Sequence, residues 1–211
     1  FATGNGTPVS SASILTGTYP SRHGFKITNE ALPAELDTVP ELLAEQGYST
    51  AGLSRNSYLS SGTNLDRGFD RFEWIAKSTI LQSISPSVLA KYLLKIRSHS
   101  VGLSTDSAKH ATPFIMNETL KRWLDDLSRT QPFFLYAHYN EPHRPYYPPL
   151  PYLERYTDNL PITASEPAER SMEIHRDLKN IIRSRHTISE TAEYTLIAML
   201  DAVIAYTDAM I

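Results

Sequence analysis

Apolar residues along this chain fall into compact runs and helically spaced sets, separated by glycine, proline and polar clusters. Pro8 suits the first turn of a helix, Ser10 to Leu15 continue it, and Gly17 stops it. Tyr19 to Gly24 read as a turn-rich exit. Thr38-Val39-Pro40-Glu41 has the form of a capping box with a proline in the first turn, and Leu42, Leu43 and Gly47 continue and end a short helix. Tyr48 to Leu53 then read as a buried strand, whereas Asn64 to Trp74 are polar-aromatic and loop-like. Met116, Leu120, Trp123, Leu124 and Leu127 recur at helical spacing. Pro132 to Tyr139, PFFLYAHY, is a continuous apolar run of the kind buried on both faces of a sheet. Five prolines from Pro142 to Pro151 predict an extended, non-helical segment. A second capping box, Thr187 to Glu190, opens a helix with Leu196, Ile197, Leu200, Val203, Ile204 and Ile211 on one side. The charged stretch from Ile162 through Ser184 reads as a surface helix that carries no recognisable chemistry.

Helix, glycine, then strand is the rhythm of a parallel α/β sheet, so the fold class is α/β, with a mostly parallel central sheet flanked by helices. Ile80 to Ile96 carry Val88, Leu89, Tyr92, Leu93 and Ile96 with interspersed Lys91, Lys95 and Arg97. That pattern predicts an amphipathic helical insertion around 76–110, and its cationic face is short for a membrane-surface helix.

Composition narrows the function classes. The chain has 211 residues, 41% of them hydrophobic, enough to bury a sizeable core. A net charge of −3 gives no electrostatic case for a nucleic-acid or anionic-membrane partner. Cysteine is absent, which removes disulfides, thiolate metal sites and cysteine nucleophiles from these residues. No apolar run reaches the roughly 18 residues needed to span a bilayer. The chain opens at Phe1 without a methionine and stops inside an amphipathic pattern, so it reads as an internal, incomplete fragment.

Ligands of open α/β sheets bind beyond the carboxyl ends of the strands, and helix N-termini attract anions. Three segments meet those criteria: Thr7 with Ser10 and Ser11, Arg55 after the first strand, and His138 with His143 after the second. Each has an ordinary structural reading. A threonine before a helix is usually a cap. Arg55 beside Asn56 and Ser57 suits a surface loop, and His138 in an apolar strand suits a satisfied core histidine. A His138/His143 zinc pair lacks a third ligand. His143 is the least ordinary, because Pro142 and Pro145 bracket His143-Arg144 and stiffen the presentation of both side chains.

The motifs that carry these residues resemble the sulfatase family of the alkaline-phosphatase-like superfamily. TPVSSASILTGTYPSRHG has the pattern of the family signature, with Thr16-Gly17, Tyr19-Pro20 and His23-Gly24 matching and Thr7 ten residues before Gly17. That is where the modified Cys or Ser stands. LLAEQGYSTAGLSRNSYLS is similar to the unit before the family's Gly-Lys-x-His stretch, with Arg55 at the Lys. LDRGFDRFEW is similar to its Gly-Phe-Asp segment, and PFFLYAHYNEPHRPYYPP to its Pro-His-x-Pro-Tyr site, with His143 at the sulfate-facing His. LDAVIAYTDAMI resembles the helix leading back to the sheet. The resemblance implies that residues 1–211 are part of a single sulfatase-like catalytic domain acting on sulfate esters of small molecules or carbohydrates. It implies Thr7 and His143 as catalytic residues, Arg55, His138 and Ser11 as substrate contacts, and Thr7 as a ligand of a divalent cation, calcium first. The remaining metal ligands are expected before Phe1 and after Ile211.

The signature is altered where the chemistry begins. Oxidation of Thr7 would give a ketone rather than an aldehyde, so no formylglycine is expected there. Val9 replaces the signature Pro, and Ser11 replaces the signature Arg, which offers a hydrogen bond but no charge. Two alternatives follow. One is a metal-dependent phosphodiesterase or phosphotransferase with unmodified Thr7 as nucleophile. The other is a catalytically inactive sulfatase-like protein that binds anionic glycans or a partner.

Overall fold

The computed structural model describes residues 3–4, 6–26, 31–76, 107–127, 131–144, 146, 148–160 and 166–211. The insertion expected around 76–110, including Ile80 to Ile96, lies almost wholly outside the described residues.

The described residues within Phe1–Thr79 and Glu118–Tyr139 form one compact unit. Its centre is a sheet of three parallel strands, β1 (Ser49–Ser54), β2 (Arg71–Trp74) and β3 (Phe133–His138), in the order β2-β1-β3. The register pairs Ser54 with Trp74 on one side and with His138 on the other, so β1 and β3 end level at the carboxyl edge. Helices α1 (Thr7–Thr16), α2 (Pro20–His23) and α3 (Val39–Glu45) belong to the same unit. Ala12 and Leu15 of α1 bury with Phe25, Leu32, Leu59 and Leu65, and Phe69, Phe72 and Tyr136 pack onto them. Gly52 of β1 makes room for that aromatic layer: a Cβ there would lie 2.6 Å from the Phe72 ring.

Strand β1 is buried nearly throughout, as its sequence predicts. Two expectations change in the sheet. Arg71 to Trp74 form strand β2 rather than loop, because their backbone completes the ladder of β1. Strand β3 is not buried on both faces. Among the described residues it is an edge of this sheet, and Phe133 is 49% exposed.

The polar wiring of this unit explains its short helix and its Gly-Phe-Asp segment. The Thr38 capping box is formed in both directions, with Glu41 N–H donating to Thr38 Oγ1 and Thr38 N–H donating to Glu41. Arg67 pairs with Glu41 at 3.0 Å. Burial works to raise the Glu41 pKa, but the Thr38 hydrogen bonds and Arg67 together hold it below its ordinary value. Thr50 Oγ1 donates to the Gly68 carbonyl at 2.7 Å and accepts from Asp70 N–H at 2.9 Å, while Thr50 N–H donates to the Asp70 carboxylate at 2.8 Å.

Helix α4 (Ser107–Asp126) buries Met116, Leu120 and Trp123 at the expected helical spacing, while Leu124 is 43% exposed. Arg71 lies over the Trp123 ring at 4.3 Å.

The described residues within Ile80–Asn117 and Asn140–Ile211 form a second unit. It contains α5 (Leu150–Thr157), α6 (Glu166–Ile182) and α7 (Glu190–Met210). The proline-rich segment is therefore helical at its end. Pro151 falls in the first turn of α5, where its missing N–H has no intrahelical acceptor to lose. The cap of α7 is Ser189, which accepts from Ala192 N–H, rather than Thr187. The side of α7 that buries overlaps the expected one only in part, at Val203 and, half-buried, at Leu196 and Leu200. Ala192, Thr195, Ala198, Met199, Ala202 and Val203 are covered, while Ile197, Ile204 and Ile211 are exposed. Tyr152 of α5 meets Tyr206 edge-on at 5.5 Å. No helix among the described residues is long and apolar enough to cross a membrane.

Candidate functional site

Helix α1 begins one residue earlier in function than its sequence suggests. The N-cap is Gly6, which has no side chain to cap with, and Thr7 is already the first helical residue. The hydroxyl of Thr7 is therefore not consumed as a cap. Pro8 brings no N–H, and the Ser10 N–H makes the first intrahelical bond, to Gly6 O at 3.0 Å. The N–H groups of Thr7 and Val9 thus face out of a helix end that carries partial positive charge. Ser10 Oγ donates to Gly4 O at 2.9 Å and folds the preceding loop back over this end.

A pocket of about 300 Å³ opens here, lined by Thr7, Ser10, Ser11 and Ile14 of α1, by Gly4 and Gly6, and by Tyr136 and His138 of β3. Tyr136 and His138 share a strand face because they are two residues apart. The same face carries Gly52 and Ser54 of β1 through the register. The parallel sheet thus delivers His138 to its carboxyl edge, where the N-terminus of α1 meets it.

The pocket brings together four residues expected from sequence, Thr7, Ser10, Ser11 and His138. It adds Tyr136, which sequence reading did not single out. The available signal was its place two residues before His138 in the strand. The Tyr136 hydroxyl lies 3.4 Å from His138 Nδ1. Burial pushes the Tyr136 phenol up, against a hydrogen bond from Ser11 that works in the opposite direction. Burial pushes His138 down, which favours the neutral imidazole. Ser11 is itself 2% exposed. The lining holds no permanent cation among the described residues, so the helix end and the hydroxyl donors are what attract an anion.

Arg55 and His143 have surroundings of their own. Arg55 follows β1 directly, donates its N–H to His138 O at 3.0 Å, and directs its guanidinium to Ile75 O at 3.1 Å. It does not line the pocket. His143 belongs to the second unit and is exposed, in a turn closed by its N–H on Asn140 O at 2.8 Å. Its Nδ1 lies 2.6 Å from Arg144 O and donates to it, which leaves Nε2 as the second nitrogen.

A sulfatase family model matches residues 1–211, the whole chain. The chain belongs to the sulfatase family. Among curated proteins none matches it. Among solved structures it is similar to the phosphonate monoester hydrolase of Agrobacterium radiobacter, with a TM-score of 0.62 at 17% identity over 100% of this chain and 49% of that one. It is also similar to BT4656, whose structure holds its substrate D-glucosamine-2-N,6-O-disulfate, with a TM-score of 0.50 at 16% identity over 99% of this chain and 46% of that one. At such identities the likeness shows a common α/β fold, and this sulfatase chain spans about half the length of either structure.

A divalent cation is implied by the family, and the residues described here do not make a site for one. Calcium takes about six to eight oxygen ligands, mostly carboxylates and carbonyls. The pocket of this sulfatase-family chain offers hydroxyls, one phenol and one imidazole, with no carboxylate in its lining among the described residues. No group of three or more His, Cys, Asp or Glu side chains converges as ligands among the described residues.

Proposed function

We propose that the pocket at the N-terminus of α1 receives the anionic group of a sulfate ester and that Thr7 holds the position of the attacking nucleophile. The observation that carries this reading is the uncapped start of α1. Thr7 keeps its hydroxyl free of capping duty at a helix end with outward N–H groups, in one pocket with His138, Tyr136 and Ser11. Helix N–H groups and hydroxyls would hold the equatorial oxygens. Thr7 Oγ1 would form a bond to the central atom, its proton passing to neutral His138, and the bond to the ester oxygen would break. Water would then cleave the threonine ester. His143 enters this reading through the family motif alone, as proton donor to the leaving alcohol. Arg55 enters in the same way, as an anion ligand. A divalent cation with Thr7 among its ligands remains part of the family expectation.

A phosphorus ester is the second reading, and the chemistry of Thr7 favours it. An unmodified threonine cannot form the gem-diol that expels sulfate by collapse to an aldehyde. Its covalent intermediate must instead be released by water attack at the central atom, as in phosphothreonine hydrolysis.

The test uses the full-length protein with calcium, magnesium, manganese or zinc and compares nitrophenyl sulfate, nitrophenyl phosphate and bis-nitrophenyl phosphate. Thr7→Ala should lower turnover of the preferred ester at least about a hundredfold. Unchanged turnover in Thr7→Ala would refute Thr7 as nucleophile. Absence of turnover with all three esters, alongside retained binding of sulfate at Thr7, would point to the inactive binding protein.

A further inference from the structure

The start of α1 carries Thr7 without the usual means of holding a helix end. Its N-cap Gly6 has no side chain, no acidic residue stands in the first turn, and Pro8 has no N–H to bond. Helix ends without a side-chain cap fray more readily. Whatever fixes Thr7 must therefore come from outside the first turn.

His23, the last residue of α2, reaches α1 from outside. It is 1% exposed and does not line the Thr7 pocket. Phe25 N–H donates to His23 Nδ1 at 3.1 Å, so the ring proton is on Nε2. That nitrogen lies 3.0 Å from the buried Ser13 Oγ and donates to it. The Val9 carbonyl is a further acceptor for the ring. Ser13 stands one helical turn above Val9, so the imidazole spans the first two turns of α1. The same tautomer excludes a Ser13-His23 nucleophile pair, because Nε2 cannot take a proton it already carries.

Both ends of this link are anchored. Phe25 is buried with Ala12 and Leu15 of α1, so its N–H holds the imidazole in a fixed pose. Val9 packs on the loop of the Thr7 pocket: a Cβ on Gly4 would lie 2.8 Å from Val9 Cγ1. Gly4 lines that pocket and accepts from Ser10. A shift of Val9 would thus reach the lining through Gly4 before Thr7 and through Ser10 after it. We propose that His23 is a positioning residue for Thr7: its Nε2–H, oriented by Phe25, fixes the first two turns of α1 and with them the place of the Thr7 hydroxyl. Its effect on turnover rests on the reading of Thr7 as nucleophile, whereas the fixing of the helix end does not.

Two isosteres take the imidazole apart. In His23→Asn the side-chain oxygen stands where Nδ1 was and keeps the Phe25 bond, but nothing reaches Ser13. In His23→Gln the side-chain NH2 stands where Nε2 was and keeps the donation to Ser13 while giving up Phe25. The Ser10 and Ser11 N–H groups bond to Gly6 and Thr7, so their hydrogen exchange in the full-length protein reports on the Thr7 turn. Exchange there should quicken at least about fivefold in His23→Asn and less than about twofold in His23→Gln. For the preferred ester, kcat should fall at least about tenfold in His23→Asn and less than about threefold in His23→Gln. Thr50→Val, which weakens the fold outside the pocket, should leave both readouts unchanged. If His23→Asn does not fold, Ser13→Ala removes the acceptor instead, and exchange should quicken at least about threefold. Equal exchange in the asparagine and glutamine variants, or wild-type exchange in Ser13→Ala, overturns the role whatever the ester assay gives. Faster exchange in His23→Asn with wild-type kcat overturns it as well. Exchange that depends on His23 without turnover of any ester upholds the fixing of the helix end and fails the Thr7 reading instead.

Discussion

Replacing Gly68 with alanine should be among the most damaging single-methyl changes available to this protein. Gly68 has φ +79°, a left-handed backbone that costs a residue with a Cβ about 1–2 kcal/mol. The new methyl carbon would also lie 2.7 Å from Glu41 Cα and 2.6 Å from Glu41 Cγ. Neither neighbour yields easily. Glu41 N–H is held by Thr38 in the capping box, its carboxylate is held by Arg67, and the Gly68 carbonyl is held by Thr50. Overpacking against a fixed backbone adds roughly 1–3 kcal/mol. The sum is about 2–5 kcal/mol, which at this chain length lowers Tm by roughly 5–20 °C. Differential scanning calorimetry or urea unfolding reads the change directly. Gly62→Ala is the control, because a Cβ there meets only Ser60 Oγ, at 3.7 Å, and φ is unstrained. A Gly68→Ala melting temperature within about 1 °C of wild type would refute the argument that Gly68 is required by its conformation and by Glu41.

Other outcomes follow from the same hydrogen bonds. Thr50→Val keeps the shape of a side chain that is 1% exposed but removes the hydroxyl that serves the half-buried Gly68 carbonyl and the N–H of exposed Asp70, so urea unfolding should lose about 1–2 kcal/mol. Tyr136→Phe removes a hydroxyl that contacts Ser11 and His138, and should lower stability by about 1 kcal/mol while reducing ester turnover through the misplaced His138; unaltered turnover would remove Tyr136 from the site. His23 and His138 are both pushed down by burial, so the unfolded chain binds more protons than the folded one below its ordinary histidine pKa of about 6.5. Unfolding free energy should therefore fall as pH drops from 7 to 5, and His23→Gln should flatten part of that slope in a pH series of urea melts.

Much of the scaffold was legible because its determinants are local. The Thr38 box, the strand after Gly47 and the stop at Gly17, which has φ +64°, all depend on residues within one or two turns of each other. The family signature made Thr7, Ser11, His138, His143 and Arg55 visible as candidates. Strand β2 was misread because its assignment depends on β1 lying beside it rather than on its own pattern. The α7 helix was partly misread because large aliphatic residues define a stripe in sequence, whereas packing covered the side rich in alanine and threonine.

The role of Thr7 shows where sequence stops and tertiary structure takes over. Residue order alone determined that a helix starts near Pro8 and made Thr7 a candidate for the family's nucleophile position. It left open whether that threonine caps the helix, since capping turns on one residue of helix boundary. The fold decided it by placing the cap at Gly6, which frees the Thr7 hydroxyl. Tertiary structure also brought Tyr136 and His138 to it from a strand more than a hundred residues away, through a parallel register that no local pattern encodes. Local propensity is set by neighbours in the chain, but a pocket is set by which strand end meets which helix end.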